Sequence, residues 1–535
     1  MGHDYQLTIA QVLRTGLTAA PAQRITYGDT VEMSYASFGA RVARLGSALA
    51  ALGLGQGAVI AVMDWDSHRY LECFFAIPML GATLHTVNVR LSPEQVLYTI
   101  NHAQDDAILV HEDFLPLLLP LVPRLTRPVR LILLTDAAPT QPDGFAGEYE
   151  GLLAAGDPNF SFPDLPETTR ATLFYTTGTT GDPKGVTYSH RQLVLHTLGV
   201  IAACGPIPGR GGFKLDDVYM PLTPLFHVHG WGFPLIATML GTRQVYPGRF
   251  DPARSLALIA RHGVTFSHCV PTILAMVLQA PGSDQVDLSA WKVVIGGSAL
   301  PEGLARAAMA RGIDVHTGYG MSETCPVLTL ADMAATQGEG DTALVRIATG
   351  RPIPLVDLRV VDPQMQDVAH DGVTTGEVVA RAPWLTDGYL RNDAGTDALW
   401  QGGWLHTGDV GSMAPDGTLR ISDRLKDVIK SGGEWISSLE LESIISSVPG
   451  VADVAAVGVP DPRWGERPVI LVVAKAGAEV EAAAHAAVAA AIAAGRVSKW
   501  AAPERVLTVS AIPKTSVGKI DKKAIRAGLA AGHIA

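Results

Sequence analysis

The sequence predicts an α/β protein, with a large N-terminal domain of sheets covered by helices followed by a small, mobile α+β domain. Three observations lead there. From residue 58 onward, short β-rich runs alternate with helical patterns, as parallel strands joined by crossover helices do. The chain has 535 residues, more than one hydrophobic core supports, so at least two domains are expected. Near residue 420 the rhythm breaks. DRLKDVIK (423–430) carries five charges, SGG follows at once, and a shorter β, β, helix, β pattern begins. Domain limits are therefore set at 1–423, 424–430 for a hinge, and 431–535 for the small domain.

In chain order, residues 59–63 read as a strand, 70–80 as a helix and 82–87 as a strand. The next helix has an explicit start, with Ser92 as N-cap, Pro93 at the first helical position and Gln95 completing a capping box. Residues 108–110 and 130–134 are further strands. The stretch 136–148, rich in Pro, Gly and Asp, is expected to be an exposed loop. The apolar run 171–175 suits a strand and leads through a Thr/Gly loop to another at 186–189. Beyond it, helices are predicted at 193–204, 233–240 and 271–279, and strands at 218–223, 243–246, 264–268 and 293–295. Asp251 caps one more helix, with Pro252 at its first position and Gly263 just past its end. In the C-terminal part, 454–459, 469–474 and 505–510 are strand-like and 481–494 is helical. No repeat of roughly 20–50 residues is visible, which argues against a solenoid.

Composition excludes several classes. The net charge is −11 and Lys and Arg are dispersed, so no basic stripe exists for nucleic acid. Cys73, Cys204, Cys269 and Cys325 are far apart with no CxxC pair, which disfavours a disulfide framework or a structural zinc site. A reducing, cytoplasmic setting is expected. The N-terminus lacks a basic segment before an apolar core, so no signal peptide is expected. No apolar run of about 18 residues occurs, so no spanning helix is expected either. The Ala-rich stretch 481–494 contains His485 and reads as a soluble helix.

The chemistry centres on YTTGTTGDPKGV (175–186). Glycines let backbone N–H groups turn inward, Thr hydroxyls add donors and Lys184 adds a positive charge, which together make a phosphate cradle. A flexible surface loop is the plain alternative. A Walker A loop fails on spacing, because Pro183 and Gly185 flank Lys184 where that pattern needs Gly before and Ser or Thr after.

Four companions follow in order: GYGMSET (318–324), TGD (407–409), DRLKDVIKSGGEWIS (423–437) and PKTSVGKIDKKAIR (513–526). The set of five resembles the adenylate-forming superfamily of acyl-CoA synthetases, adenylation domains and luciferases, over residues 30–526. The resemblance implies two half-reactions. A carboxylate attacks the α-phosphorus of ATP to give an acyl adenylate and pyrophosphate. The small domain then swings, and a thiol takes the acyl group with release of AMP.

It also implies roles. Thr176, Thr177, Gly178, Thr179, Thr180, Gly181 and Lys184 hold the leaving phosphates. Glu323, with Thr177, binds Mg²⁺, and Ser322 donates to a phosphate. Adenine lies against Tyr319, with close backbone approach at Gly296, Gly297 and Ser298. His316, Thr317, Gly318, Gly320 and Met321 belong to the same wall. Asp409 holds the ribose hydroxyls with help from Arg424. Lys519, carried by the small domain, bridges carboxylate and α-phosphate oxygens in the first half-reaction. Lys426 falls at the family's hinge.

For the acid, relatives that activate amino acids carry an Asp in the PLxF-like motif. PLFHVHGWG (224–232) has His227 there, which disfavours an amino acid and resembles the residue closing over the carboxylate in fatty- and aryl-acid ligases. The acyl pocket is expected to draw on His227, Trp231, Phe233, Val270, Gly297, Gly320, Met321 and Pro326. It offers no cation for a second carboxylate. A medium-chain or modified short-chain fatty acid is favoured, then longer chains or an aryl acid. For the thiol, Lys430, Ser431, Gly432, Gly433, Glu434 and Trp435 match the pantetheine-tunnel segment. Sixteen residues follow Lys519, so no fused carrier domain is expected and free coenzyme A is the acceptor. Competing readings are an acyl-AMP ligase serving a separate carrier and a nucleotide-binding sensor without turnover. A homodimer is expected by analogy alone.

Overall fold

The computed structural model describes residues 5–137, 143–176, 182–205, 212–331, 342–432, 434–515 and 520–534. Its architecture is α/β, with a large N-terminal domain of helix-covered sheets and a smaller C-terminal domain. The first large sheet runs in the order Gly147–Glu148, Arg130–Leu134, Ala107–His111, Val59–Met63, Thr83–Thr86, Arg170–Thr176, Lys184–Ser189. All neighbours are parallel except the last pair, an antiparallel hairpin with Thr176 opposite Lys184. The second has nine strands, from Arg351–Pro352, Val327–Leu330 and Asp314–Gly320 at one edge to Arg24–Tyr27 and Val31–Ser34 at the other.

Between the two sheets lies the helix His68–Met79, every residue of which is buried. A helix covered on all sides must pair its charges. Arg69 bonds Asp136 at 2.8 Å, while Glu72 takes Arg41 at 2.6 Å and the Tyr149 hydroxyl at 2.6 Å.

A four-stranded antiparallel sheet follows, ending in Leu405–Met413 and Leu419–Arg424. The next strand, Ile429–Ser431, already belongs to the five-stranded sheet of the C-terminal domain. Its partners are Glu434–Ile436, Gly465–Ala474, Val451–Asp461 and Arg505–Thr508. The chain thus changes sheets between Arg424 and Ile429. Two links span that crossing: Asp423 Oδ2 accepts from Ser438 N at 2.6 Å, and Arg526 reaches Asp427 at 2.7 Å.

The local signals place most elements. Ser92 and Gln95 close the capping box on Pro93–Ala103, and Asp251 caps Pro252–His262 with Gly263 left-handed at its end. Ahead of the alternation that starts at residue 58 come the helices Ile9–Ala19 and Tyr35–Ala51 and the hairpin between them. Two expectations need correction. Only Val218–Tyr219 of 218–223 pairs as a strand, because Pro221 and Pro224 remove donors just beyond it. The latter half of 136–148 returns to the core: Phe145 is buried and Gly147–Glu148 forms the sheet edge.

One segment departs from ordinary backbone. Val228, His229, Gly230, Trp231 and Gly232 all have positive φ, between 48° and 75°, making a short left-handed turn. Each non-glycine residue there costs roughly 1–2 kcal/mol, most for the β-branched valine. His229 holds it in place. Its ring is buried among Phe74, Phe174 and Tyr188, with both nitrogens unpaired among the described residues.

Candidate active site

Thr177, Gly178, Thr179, Thr180 and Gly181 lie outside the described residues, but both banks of their loop are in view. Thr176 closes one strand and Lys184 opens the next, facing each other across the hairpin. The Lys184 ammonium lies 4.5 Å from the centroid of the Tyr389 ring. The Tyr389 hydroxyl donates to Glu323 Oε1 at 2.7 Å. Glu323 sits in the tight turn Ser322–Thr324, just after the strand Asp314–Gly320. That turn is pinned by Tyr188 O–H donating to Ser322 O at 2.6 Å and by Thr386 N donating to Glu323 O at 3.0 Å.

Burial raises the Glu323 pKa, opposed by the Tyr389 hydrogen bond and by the Arg424 and Lys184 charges. A buried carboxylate of this kind suits a hard divalent cation. No group of three or more His, Cys, Asp or Glu gathers as a metal cage among the described residues. Thr177, the second candidate ligand, lies outside the described residues.

The residues expected to hold the nucleoside come from two neighbouring strands and one tyrosine. Asp409 and Arg424 are register partners, with Arg424 Nε 3.4 Å from Asp409 Oδ1. The Tyr319 hydroxyl donates to Asp409 Oδ2 at 2.7 Å, which fixes its ring. Burial drives the phenol pKa far up, so it stays a donor. Gly297 is left-handed at φ +76°, and Ser298 beside it is exposed. A Cβ on Gly320 would lie 1.7 Å from Pro326 O. His316 and Thr317 differ from their neighbours Gly318 and Met321. His316 is fully buried in the sheet, its pKa lowered to about 4 by burial. The Thr317 hydroxyl is spent on Arg346 O at 3.1 Å. Both belong to the wall behind the site, not its surface.

The acyl side follows the left-handed turn. His227 opens the turn, and its carbonyl accepts from Gly230 N at 3.1 Å. Trp231 packs so closely on Gly296 that a Cβ there would meet its ring at 3.0 Å. His268 lies 5.3 Å from Trp231 and stacks on Phe233, against which Phe266 is tilted. Phe233 therefore lies one ring beyond Trp231. His268 bonds Tyr219 O–H at 2.8 Å, and burial lowers its pKa to about 3, so the wall is neutral. Val270 is buried at the start of Pro271–Leu278, and Pro326 is buried beside Met321.

In the small domain, Gly433 and Lys519 lie outside the described residues. Lys430 is exposed over the Trp435 ring, Ser431 is buried, and Glu434 and Trp435 project from an exposed short strand. Gly432, at φ +60°, donates its N–H to Trp464 O, and a Cβ on it would meet Trp500 at 2.5 Å. Trp464 and Trp500 lie 4.7 Å apart and line an open groove of about 500 Å³ together with Asp461, Arg467, Lys499 and Glu504. Of the lysines flanking Lys519, Lys514 pairs Asp453 at 2.7 Å and Lys522 is buried against Glu442 at 2.8 Å. Both are committed to structure.

Tyr389 meets Glu323 and Lys184, and Trp464 and Trp500 flank Gly432, without any signal in the sequence. Each lies outside the five motifs, and nothing in local spacing marks them.

Two family descriptions match, AMP-binding enzyme over residues 14–390 and AMP-binding enzyme C-terminal domain over residues 440–519. A long-chain-fatty-acid–CoA ligase of Thermus thermophilus is 38% identical over 511 residues, covering 94% of this chain and 91% of that protein. A 3-methylmercaptopropionyl-CoA ligase of Ruegeria pomeroyi is 39% identical over 513 residues, covering 94% and 92%. The solved structure of an anthranilate CoA ligase with anthranoyl-AMP superposes with a TM-score of 0.87 at 23% identity, covering 99% of each chain, and shares the fold. The chain therefore belongs to the AMP-binding enzyme family, as an AMP-forming acid–CoA ligase of the adenylate-forming superfamily.

Proposed function

We propose that this ligase activates a medium-chain or modified short-chain fatty acid. It forms the acyl adenylate with release of pyrophosphate and then passes the acyl group to coenzyme A with release of AMP. The observation that carries the choice of acid is the wall behind Trp231. His268, Phe233 and Phe266 fill that space in contact with one another, and none is charged. An apolar chain suits the near side of that wall, and its length is limited by Trp231. The relatives named above act on a long-chain fatty acid and on 3-methylmercaptopropionate, which brackets the proposal.

The remaining roles follow the chemistry of each group. Lys184 and the Thr/Gly loop neutralise the leaving phosphates, and His227 closes over the carboxylate. Lys519 supplies positive charge where the carboxylate meets the α-phosphate. Glu323 and Thr177 would hold Mg²⁺, which lowers the repulsion between two anions. Asp409 and Arg424 fix the ribose. The stretch 424–430 is the hinge, and coenzyme A enters along Gly432 and Gly433. The Trp464–Trp500 groove, with Arg467 and Lys499, offers flat faces and cations for the nucleotide end of that cofactor. A cytoplasmic setting is favoured by four unpaired, buried cysteines. A homodimer is proposed by analogy with the family, and light scattering checks it.

A CoA-dependent AMP-release assay on acids from butyrate to palmitate, including 3-methylmercaptopropionate and benzoate, tests the reading. kcat/KM should peak at or below decanoate. A peak at palmitate would mean that Trp231 swings aside, and one at benzoate would overturn the aliphatic assignment.

A further inference from the structure

Glu323 and Lys184 come from different parts of the chain, and one aromatic side chain joins them. Tyr389 lies on a strap that is stitched to the element carrying each. On the Lys184 side, Leu390 N donates to Gly185 O at 2.8 Å, and Tyr389 stands opposite Val186 in an isolated bridge. On the Glu323 side, Thr386 N donates to Glu323 O at 3.0 Å. Thr386 Oγ1 also donates to Thr187 O at 3.0 Å. Behind the strap, Tyr389 N donates to Thr396 Oγ1 at 2.9 Å, and Arg391 reaches His102 O at 2.6 Å. The ring therefore cannot move without disturbing both sides.

Its two contacts are of different kinds. The hydroxyl donates to Glu323 Oε1 at 2.7 Å, and the ring face takes the Lys184 ammonium at 4.5 Å. The Tyr389 donor restricts rotation of the carboxylate and leaves Oε2 outside that bond. A lysine resting on a ring keeps its charge exposed to an incoming phosphate, because a cation–π contact satisfies none of its three donors.

We propose that Tyr389 is a positioning residue for adenylate formation. It orients the Glu323 carboxylate for the divalent cation and holds Lys184 beside the same phosphates. This rests on Glu323 being the metal carboxylate, and the test separates the two ideas.

The measurement is binding of Mn²⁺ with a non-hydrolysable ATP analogue, read by electron paramagnetic resonance, alongside both half-reactions. Tyr389→Phe keeps the ring and removes the donor. It should weaken Mn²⁺ binding roughly 10-fold, the scale for loss of a group that orients a metal ligand. KM for ATP should rise, while thioester formation from supplied acyl-AMP stays at the wild-type rate. Tyr389→Leu also removes the ring, and should additionally weaken binding of pyrophosphate, which Tyr389→Phe spares. In a Glu323→Gln background, Tyr389→Phe should add little, because the carboxylate it orients is gone.

If Glu323→Gln alone leaves Mn²⁺ affinity unchanged, the metal assignment itself fails. If Glu323→Gln weakens binding but Tyr389→Phe does not, the role of Tyr389 is refuted. That role is also refuted if Tyr389→Phe costs as much in the Glu323→Gln background as in the wild type, or slows both half-reactions equally, since those are the marks of a merely structural residue.

Discussion

Tyr319 and Asp409 show how far single residues could be read ahead. Both stand in motifs whose chemistry is explicit, a flat ring and a carboxylate able to accept two hydroxyls, and the structure joins them at 2.7 Å. Tyr389 was invisible for a physical reason: its importance comes from meeting Glu323, 66 positions away, and no local pattern encodes that meeting. His316 is less explicit: it is fully buried in its strand, as is Thr317 beside it, and nothing local in the sequence separates these two from the half-buried residues that follow. Lys519 is the residue on which a mutation speaks most directly. Lys519→Ala should lower adenylate formation by roughly 10²–10³-fold, the scale for one transition-state donor. Thioester formation from supplied acyl-AMP should be largely spared, and equal loss in the two half-reactions would argue against alternation of the small domain.

Among elements, those with a chemical start or stop signal were legible to within a residue or two. Ser92 and Asp251 are N-caps because their side chains accept from the third residue onward, and that demand is written locally. Elements whose existence depends on a distant partner were not. Gly147–Glu148 forms a strand only because Arg130–Leu134 leaves an edge for it, although its own residues favour a turn. The hairpin at Gly432 tests the same idea through function. A side chain there meets the Trp500 ring and must hold a left-handed backbone. Gly432→Leu should therefore depress the thioester step at least 10-fold while ATP–pyrophosphate exchange continues, a strain of about 1.4 kcal/mol or more being enough. Exchange falling in parallel would place the hairpin's role elsewhere.

At the scale of the molecule, alternation of strand and helix indicated parallel sheets, and length indicated more than one domain. The packing of the two large sheets around His68–Met79 was hidden, because that helix carries Arg69 and Glu72, residues that read as solvent-facing until their buried partners are known. Burial on this scale has a consequence for acid stability. His190 and His316 are lowered to about 4, and His196, His229 and His268 to about 3, burial being the first cause in each. In the unfolded chain they titrate near 6.5, so below that pH the unfolded state binds more protons than the folded one. Their contribution is whole above about pH 6.5 and is lost as pH falls toward 4 and then 3, each histidine adding a slope of up to about 1.4 kcal/mol per pH unit. Denaturant midpoints from pH 7.5 to 5 should fall steeply below 6.5, and a flat profile would show that these imidazoles already carry protons in the folded protein.

The left-handed turn at 228–232 bears on how such an enzyme changes its diet. Trp231, proposed above to bound the acyl pocket, holds a φ of 58° that suits glycine better than tryptophan. Losing a buried Trp side chain ordinarily costs about 3–5 kcal/mol, but glycine at this position would recover roughly 1–2 kcal/mol of backbone strain. Trp231→Gly should thus open the pocket to longer acids, seen as a rise in kcat/KM for palmitate relative to octanoate. Its melting temperature should fall less than that of Trp291→Gly, since Trp291 is also buried but has no left-handed backbone to relieve. A residue proposed to limit chain length would then be replaced at a smaller cost than an equally buried tryptophan elsewhere, though still at a cost.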